Sequence, residues 1–361
     1  MTEDGFIIVP HLNPGGTSRD AVEWANRFQA NGLRVPVLAL RAGGTFRLRL
    51  RESIPFELLN LAGTFVGLPR LLRRLRVSPR AFVLTNCASS ACAVILYKWL
   101  GLFDGRLVFV ESVNPAQALR SSRKAAFAYY LIHRHADAIV HISQFGYDYA
   151  RRLRLPACRS HYIPNIVPAG SSRIKPVKQA ALRLLAVGRL DVVKGYDRLI
   201  NAMPAVLRTF PGATLRICGE GDQNQQLQAL IARLGLESQV ELLGHVDEVA
   251  KELRQADVFL QTSYFEGMPN ALIEALAAGL PVVGTSCGGS VRRLLLQLGA
   301  EKSLVADGSG FERSLLRAIG SACDGSINWA EIDVRFKALY DESHNFTSLS
   351  KLCQAGDQNE A

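Results

Sequence analysis

The chain has 361 residues, is 48% hydrophobic and only 20% charged, and carries a net charge of +10. That length predicts two or three domains, and the composition lets them bury sizeable cores. Seven cysteines without metal-ligand spacing exclude a disulfide scaffold or a zinc-finger array, and fit a reducing cytosol.

The charge is uneven. Residues 1–168 hold 22 Lys/Arg against 10 Asp/Glu, while the remainder holds 20 against 22. The densest basic stretch, PRLLRRLRVSPR, sets Arg70, Arg73, Arg74, Arg76 and Arg80 among Leu71, Leu72 and Leu75. Interleaved Leu and Arg suit either an anionic membrane surface or a solvated helix face. No aromatic residues interleave with the arginines and no nucleic-acid motif appears, so nucleic acid is not an expected partner.

In chain order, Phe6–Val9 reads as a strand, followed by the Pro/Gly loop PHLNPGGTS. Thr17 or Ser18 is expected to cap the next helix and Gly32 to stop it. Strands are expected at Val35–Ala39, Ala81–Leu84, Leu107–Val110 and Ala138–Ile142, with helices between. The apolar window Ala81–Phe103 contains Thr85, Asn86, Ser89, Ser90 and Lys98, which fits a strand, a loop and a buried helix better than a membrane span. The acidic start TEDG does not resemble a secretory signal.

A Pro- and Ser-rich stretch, Tyr162–Lys178, reads as a linker. A second alternating set follows: strands Arg183–Val187, Thr214–Cys218, Val240–Leu243, Val258–Gln261 and Pro281–Thr285, with helices at Asp197–Thr209, up to Leu234, Val246–Gln255 and Pro269–Ala278. This βαβ rhythm predicts two α/β, doubly wound parallel sheets, with ligands beyond the carboxyl ends of strands and a cleft between the domains. The expected domains are 1–167, 168–325 and a helical segment 326–361 that crosses back to the first domain.

The stretch YFEGMPNALIEALAAGLP sets Glu266 and Glu274 eight positions apart. Pro269 suits the first position of a helix, and Gly267 allows close approach of a ligand. The amides of Gly267, Met268, Asn270 and Ala271 would then form an anion-binding helix N-terminus. Upstream stand GRLDVVKG at Gly188–Gly195, with Arg189 and Lys194, then GEG at Gly219–Gly221 and LGHV at Leu243–Val246.

In this order, these motifs resemble the family 4 retaining glycosyltransferases of GT-B architecture, two Rossmann-like domains facing across a cleft. The resemblance covers about Leu182–Gly289 closely and the first half loosely, through Gly15-Gly16, ADAIVHIS and YIPN. It implies a hexosyltransferase that uses a nucleotide-sugar, UDP-linked by expectation, with a glycan or lipid-linked glycan as acceptor in cell-surface polysaccharide synthesis. The implied location is cytoplasmic, with Arg70–Arg80 against the membrane's inner face.

The resemblance assigns Arg189 and Lys194 to the diphosphate, Glu266 to sugar hydroxyls and Glu274 to the ribose diol. A Glu among Ala and Leu on a buried helix needs such a partner. Gly15, Gly16, Gly219, Gly221 and Val246 are expected to bring backbone close to the donor, Val246 at the base. No Asp-x-Asp occurs, so the implied donor site uses neither metal nor cofactor. Retention by front-face attack needs no protein nucleophile, because the departing phosphate takes the acceptor's proton.

Two departures stand out. The loop where relatives carry a His near the reacting carbon reads VFVESVNPAQ, leaving Glu111 and Asn114 as near-sugar candidates. After Gly288-Gly289 the chain runs SVRRLLLQLGAEKS, without the usual Glu. These departures keep one other reading open, a degenerate partner subunit; a GT-B epimerase is a second alternative, against which the EGMPN loop argues. His133 and His135 are expected on a helix surface.

Overall fold

A computed structural model describes residues 2–13, 15–60, 64–112, 115–156, 159–166 and 181–355. Most of the expected linker, and Asn114, lie outside the described residues. The chain divides into two compact units, Met1–Ile166 with Asp341–Ala361, and Val167–Tyr340.

The first unit is a seven-stranded parallel sheet. Its strands are β1 (Gly5–Val9), β2 (Val37–Ala39), β3 (Phe56–Leu58), β4 (Phe82–Thr85), β5 (Leu107–Glu111), β6 (Ala138–His141) and β7 (Ser160–Tyr162), in the order β3-β2-β1-β4-β5-β6-β7. The connecting helices are α1 (Gly16–Ala30), α2 (Thr64–Leu75), α3 (Ala88–Trp99), α4 (Pro115–Ser121), α5 (Arg123–His135) and α6 (Gln144–Arg152). The apolar window therefore folds as β4 and α3, and no helix among the described residues is long and apolar enough to cross a membrane. Gly15, not Thr17 or Ser18, stands at the N-cap of α1, because the Ser18 hydroxyl is buried and donates to the His11 carbonyl.

The second unit is a six-stranded parallel sheet. It contains β8 (Arg183–Val187), α7 (Tyr196–Thr209), β9 (Thr214–Cys218), α8 (Asn224–Leu234), β10 (Val240–Gly244), α9 (Val249–Gln255), β11 (Val258–Gln261), α10 (Asn270–Ala277), β12 (Val282–Thr285), α11 (Ser290–Leu298), β13 (Leu304–Val305), α12 (Phe311–Cys323) and α13 (Trp329–Leu339). The strand order is β10-β9-β8-β11-β12-β13. Its strands are buried on both faces: Leu184 and Ala186 enter one core cluster and Leu185 the other.

The expected segment 326–361 divides. Ile332 and Phe336 of α13 fill the second unit's core, whereas α14 (Glu342–Gln354) belongs to the first unit, where the Phe346 ring packs 5.2 Å from that of Phe28. The three strands that sequence reading omits, β3, β7 and β13, have only two or three residues each. Each lies at a sheet edge or beside one, too short for an alternating pattern to show.

Candidate functional site

In the second unit the strand order reverses between β8 and β11, the switch point at whose carboxyl edge α/β sheets bind ligands. The first loop, Gly188–Gly195, closes with Gly195 in the left-handed region at φ 64°. A Cβ there would lie 2.4 Å from the Thr262 carbonyl oxygen, so only glycine permits this approach. The Tyr264 amide donates to the Val193 carbonyl at 2.8 Å, and the Thr262 hydroxyl to that of Gly195 at 3.2 Å. These contacts bring Lys194 to Glu266 across 72 residues of sequence.

Glu266 Oε1 accepts from Lys194 Nζ at 2.7 Å, from Ser263 Oγ at 2.6 Å and from Gln261 Nε2 at 2.9 Å. All three donors reach the same oxygen, which leaves Oε2 able to accept from a ligand. The Glu266 backbone is pinned as well: its amide donates to the Cys287 carbonyl and its carbonyl accepts from the Ser290 hydroxyl. Arg198 clamps the segment from the other side. Its guanidinium donates to the carbonyls of Thr262 and Ser263, pairs with Asp307 at 2.8 Å, and stacks 4.0 Å from the Tyr264 ring. Burial, then the negative charges of Glu266 and Asp191, push the Tyr196 hydroxyl well above its usual range, so it stays protonated. Burial drives the Cys287 thiol up to about 12, which makes it a packing group rather than a nucleophile.

Arg189 projects from the same loop with its side chain 79% exposed, and pairs with Asp191 at 2.9 Å. The GEG glycines serve the chain itself. A Cβ at Gly219 would lie 1.9 Å from the Gly188 carbonyl oxygen, and one at Gly221 would lie 2.4 Å from that of Leu190. Their backbone holds the Arg189 loop in place, with the Leu190 amide donating to Glu220 and the Gln223 amide to Leu190. Val246 is half-buried against the core. Pro269 is the N-cap of α10 and not its first residue, and the Asn270 amide is already given to the Met268 carbonyl, so it is not available for an anion. Gly267, Met268, Ala271 and Glu274 are partly exposed along the same segment.

In the first unit, the order reverses between β1 and β4, and Gly15-Gly16 follow β1 with open space where a Gly15 side chain would stand. Glu111 is not on a loop. It ends β5, buried, with Oε2 3.2 Å from His133 Nε2 and 3.0 Å from His141 Nδ1. His133 is therefore a core residue and not a surface one, 1% exposed, while His135 is only partly covered. Burial raises the Glu111 carboxyl, but the two imidazoles outweigh it and hold the group below its usual range. Among the described residues, Glu111, His133 and His141 are the one group of three or more metal-type donors that converges.

The apolar stripe of α2 faces inward, with Leu71 and Leu75 buried. Arg74 is tied to Glu3 and Glu57, while Arg70, Arg73, Arg76 and Arg80 are exposed, Arg70 with a hydrogen bond to the Leu59 carbonyl.

Sequence reading missed Gln261, Ser263 and Arg198. Each belongs to a common residue type at an unmarked position, and acts only because the chain brings β8 and β11 side by side. A polar Gln-Thr-Ser run at the carboxyl end of an apolar strand was the one available signal.

Comparison with known proteins places the chain. A family model described as Glycosyltransferase Family 4 matches residues 14–170, and one described as Glycosyl transferases group 1 matches residues 181–321. An uncharacterized glycosyltransferase of Haemophilus influenzae is 23% identical over 303 residues, 82% of this chain and 84% of that protein. The uncharacterized glycosyltransferase MJ1059 of Methanocaldococcus jannaschii is 39% identical over 109 residues, but that match spans 30% of this chain and only 27% of the relative. The crystal structure of Anabaena HepE in complex with UDP and glucose superposes with a TM-score of 0.78 at 17% identity, covering 98% of this chain and all of that one. The shared fold is GT-B.

Proposed function

The chain belongs to glycosyltransferase family 4, and from that premise we propose that it transfers a hexosyl group, with retention, from a UDP-sugar to a glycan or lipid-linked glycan in cell-surface polysaccharide synthesis. The observation that carries this reading is the convergence of Lys194, Ser263 and Gln261 on a single oxygen of Glu266. A carboxylate held by three donors is fixed in position. Its remaining oxygen accepts from sugar hydroxyls.

Lys194 uses one hydrogen on Glu266 and keeps two for the diphosphate. Arg189 exchanges its exposed pairing with Asp191, which contributes little, for phosphate oxygens. These cations offset the charge that the diphosphate gains as the glycosidic bond breaks, so the donor site needs no chelated metal. Glu274 sits about one turn into α10, where the ribose diol is its expected ligand. Arg198 and the Gly219–Gly221 turn act through the two loops, as positioning elements. The HepE complex holds UDP and glucose, which supports UDP as the nucleotide here. The exposed Arg73, Arg76 and Arg80 support an anionic lipid surface near the acceptor.

The test is binding of UDP, GDP and their sugars by the purified chain with EDTA present, in wild type, Lys194→Ala and Glu274→Ala. Metal-free binding of one donor, weakened by both substitutions, is expected. Absence of binding to every nucleotide overturns the reading and favours a partner subunit without catalysis.

A further inference from the structure

Glu111 and His141 are register partners at the carboxyl ends of β5 and β6, so they stand side by side on one face of the sheet. His133 comes from the last turn of α5, and Tyr129, one turn earlier, packs its ring 4.2 Å from that of His133. The carboxylate and the two imidazole side chains are at most 5% exposed.

The contacts are close, yet none is aligned as a hydrogen bond. Both carboxylate oxygens, all four ring nitrogens and the Tyr129 hydroxyl lack an aligned partner among the described residues. Polar groups buried this deeply are ordinarily satisfied, and a cluster left this way is costly. A cation between them supplies what the side chains do not give one another.

Two of the separations fit one. An ion bound at about 2.0–2.2 Å with angles near 90–110° sets its donor atoms roughly 2.8–3.6 Å apart. The two carboxylate–imidazole separations, 3.2 and 3.0 Å, fall in that range, and the donor atoms of all three residues lie within 4.8 Å of one another. Two imidazoles with one carboxylate are a donor set for zinc-class ions rather than for magnesium or calcium, which take oxygen ligands. Gly146, at the start of α6, flanks the cluster: a side chain there would begin 3.7 Å from both Glu111 Oε1 and His141 Nδ1.

We propose that Glu111, His133 and His141 form a buried site for a divalent transition-metal ion of the zinc class, which ties the ends of β5 and β6 to α5. The site is structural and is built from residues of the first unit alone. It does not rest on the donor reading: chelation is expected to leave UDP affinity unchanged, so the two fail separately.

Elemental analysis of the intact chain, expressed in zinc-supplemented medium and purified without chelator, is expected to find one zinc-class ion per chain. The ion is expected to fall to background in the His133→Asn/His141→Asn double variant. Because that variant removes packing as well, the wild type is also melted before and after treatment with a strong zinc chelator. The melting temperature is expected to drop, and to recover with Zn²⁺ or Co²⁺ but not with Mg²⁺. Co²⁺ in the site is expected to give visible absorption bands that the double variant lacks. A metal-free wild type whose melting ignores chelator, Zn²⁺ and Co²⁺ overturns the proposal, and leaves a cluster in which Glu111 and the histidines satisfy only one another. Full metal content in the double variant overturns it equally.

Discussion

Glu266, past the end of β11, receives aligned hydrogen bonds from an ammonium, a hydroxyl and an amide, while Glu111, at the end of β5, touches two imidazoles without alignment. Both stand where parallel strands release their chains, the edge at which α/β sheets bind ligands. Glu266 is partly exposed and satisfied on one oxygen, an arrangement suited to neutral hydroxyls. Glu111 is buried and poorly satisfied, an arrangement suited to a positive ion. Strand-end position thus marks both carboxylates, and their donors and burial divide their chemistry.

The comparison breaks most visibly at Glu111. Glu111→Ala removes the one buried negative charge beside two buried imidazoles, and is expected to cost about 3–5 kcal/mol of stability, read by urea denaturation. An unfolding midpoint equal to that of the wild type would show that the carboxylate is not the centre of the cluster. Lys194→Ala is expected to weaken UDP-sugar binding by roughly 1.5–3 kcal/mol, on the order of 10- to 150-fold, with little change in stability. Calorimetric titration reads this, and an unchanged affinity would sever Lys194 from the diphosphate. Gly219→Ala drives a methyl against the Gly188 carbonyl and is expected to destabilise by about 1–3 kcal/mol. Donor binding is expected to weaken with it, because the Arg189 loop loses its support; thermal melts and the same titration would show both. Ser263→Ala removes one of the three donors to Glu266 and is expected to cost about 1 kcal/mol of donor affinity, some fivefold. No loss there would mean that Lys194 and Gln261 suffice. At the smallest scale, replacing Arg73, Arg76 and Arg80 by Glu is expected to abolish sedimentation with anionic vesicles while leaving soluble-donor binding intact.

Much of the second unit was legible from sequence. The spans Arg183–Val187, Thr214–Cys218 and Val258–Gln261 match the structure residue for residue, because each is a short apolar or alternating run bounded by Gly, Pro or polar residues. Lys194 and Glu266 were legible as chemistry through the motifs around them. Their ion pair was not, since nothing local links positions 72 apart. The reading of GEG as a nucleotide contact overlooked a nearer ligand, the chain's own Gly188–Leu190 backbone. The leucines of α2 looked available to a membrane because spacing alone does not reveal which face the core takes; Leu71 and Leu75 went inward.

By itself, the sequence determined the α/β rhythm, the two-part organisation, the family, and which cations and carboxylates stand in its motifs. All of these follow from periodicity and from short motifs whose members are neighbours along the chain. Tertiary structure alone decided that Ser263 and Gln261 serve Glu266, that α13 and α14 part company, and that Glu111 meets His133 and His141 out of water. Each of these depends on which strands lie adjacent and on how deeply their ends are buried, and both are properties of the packed sheet.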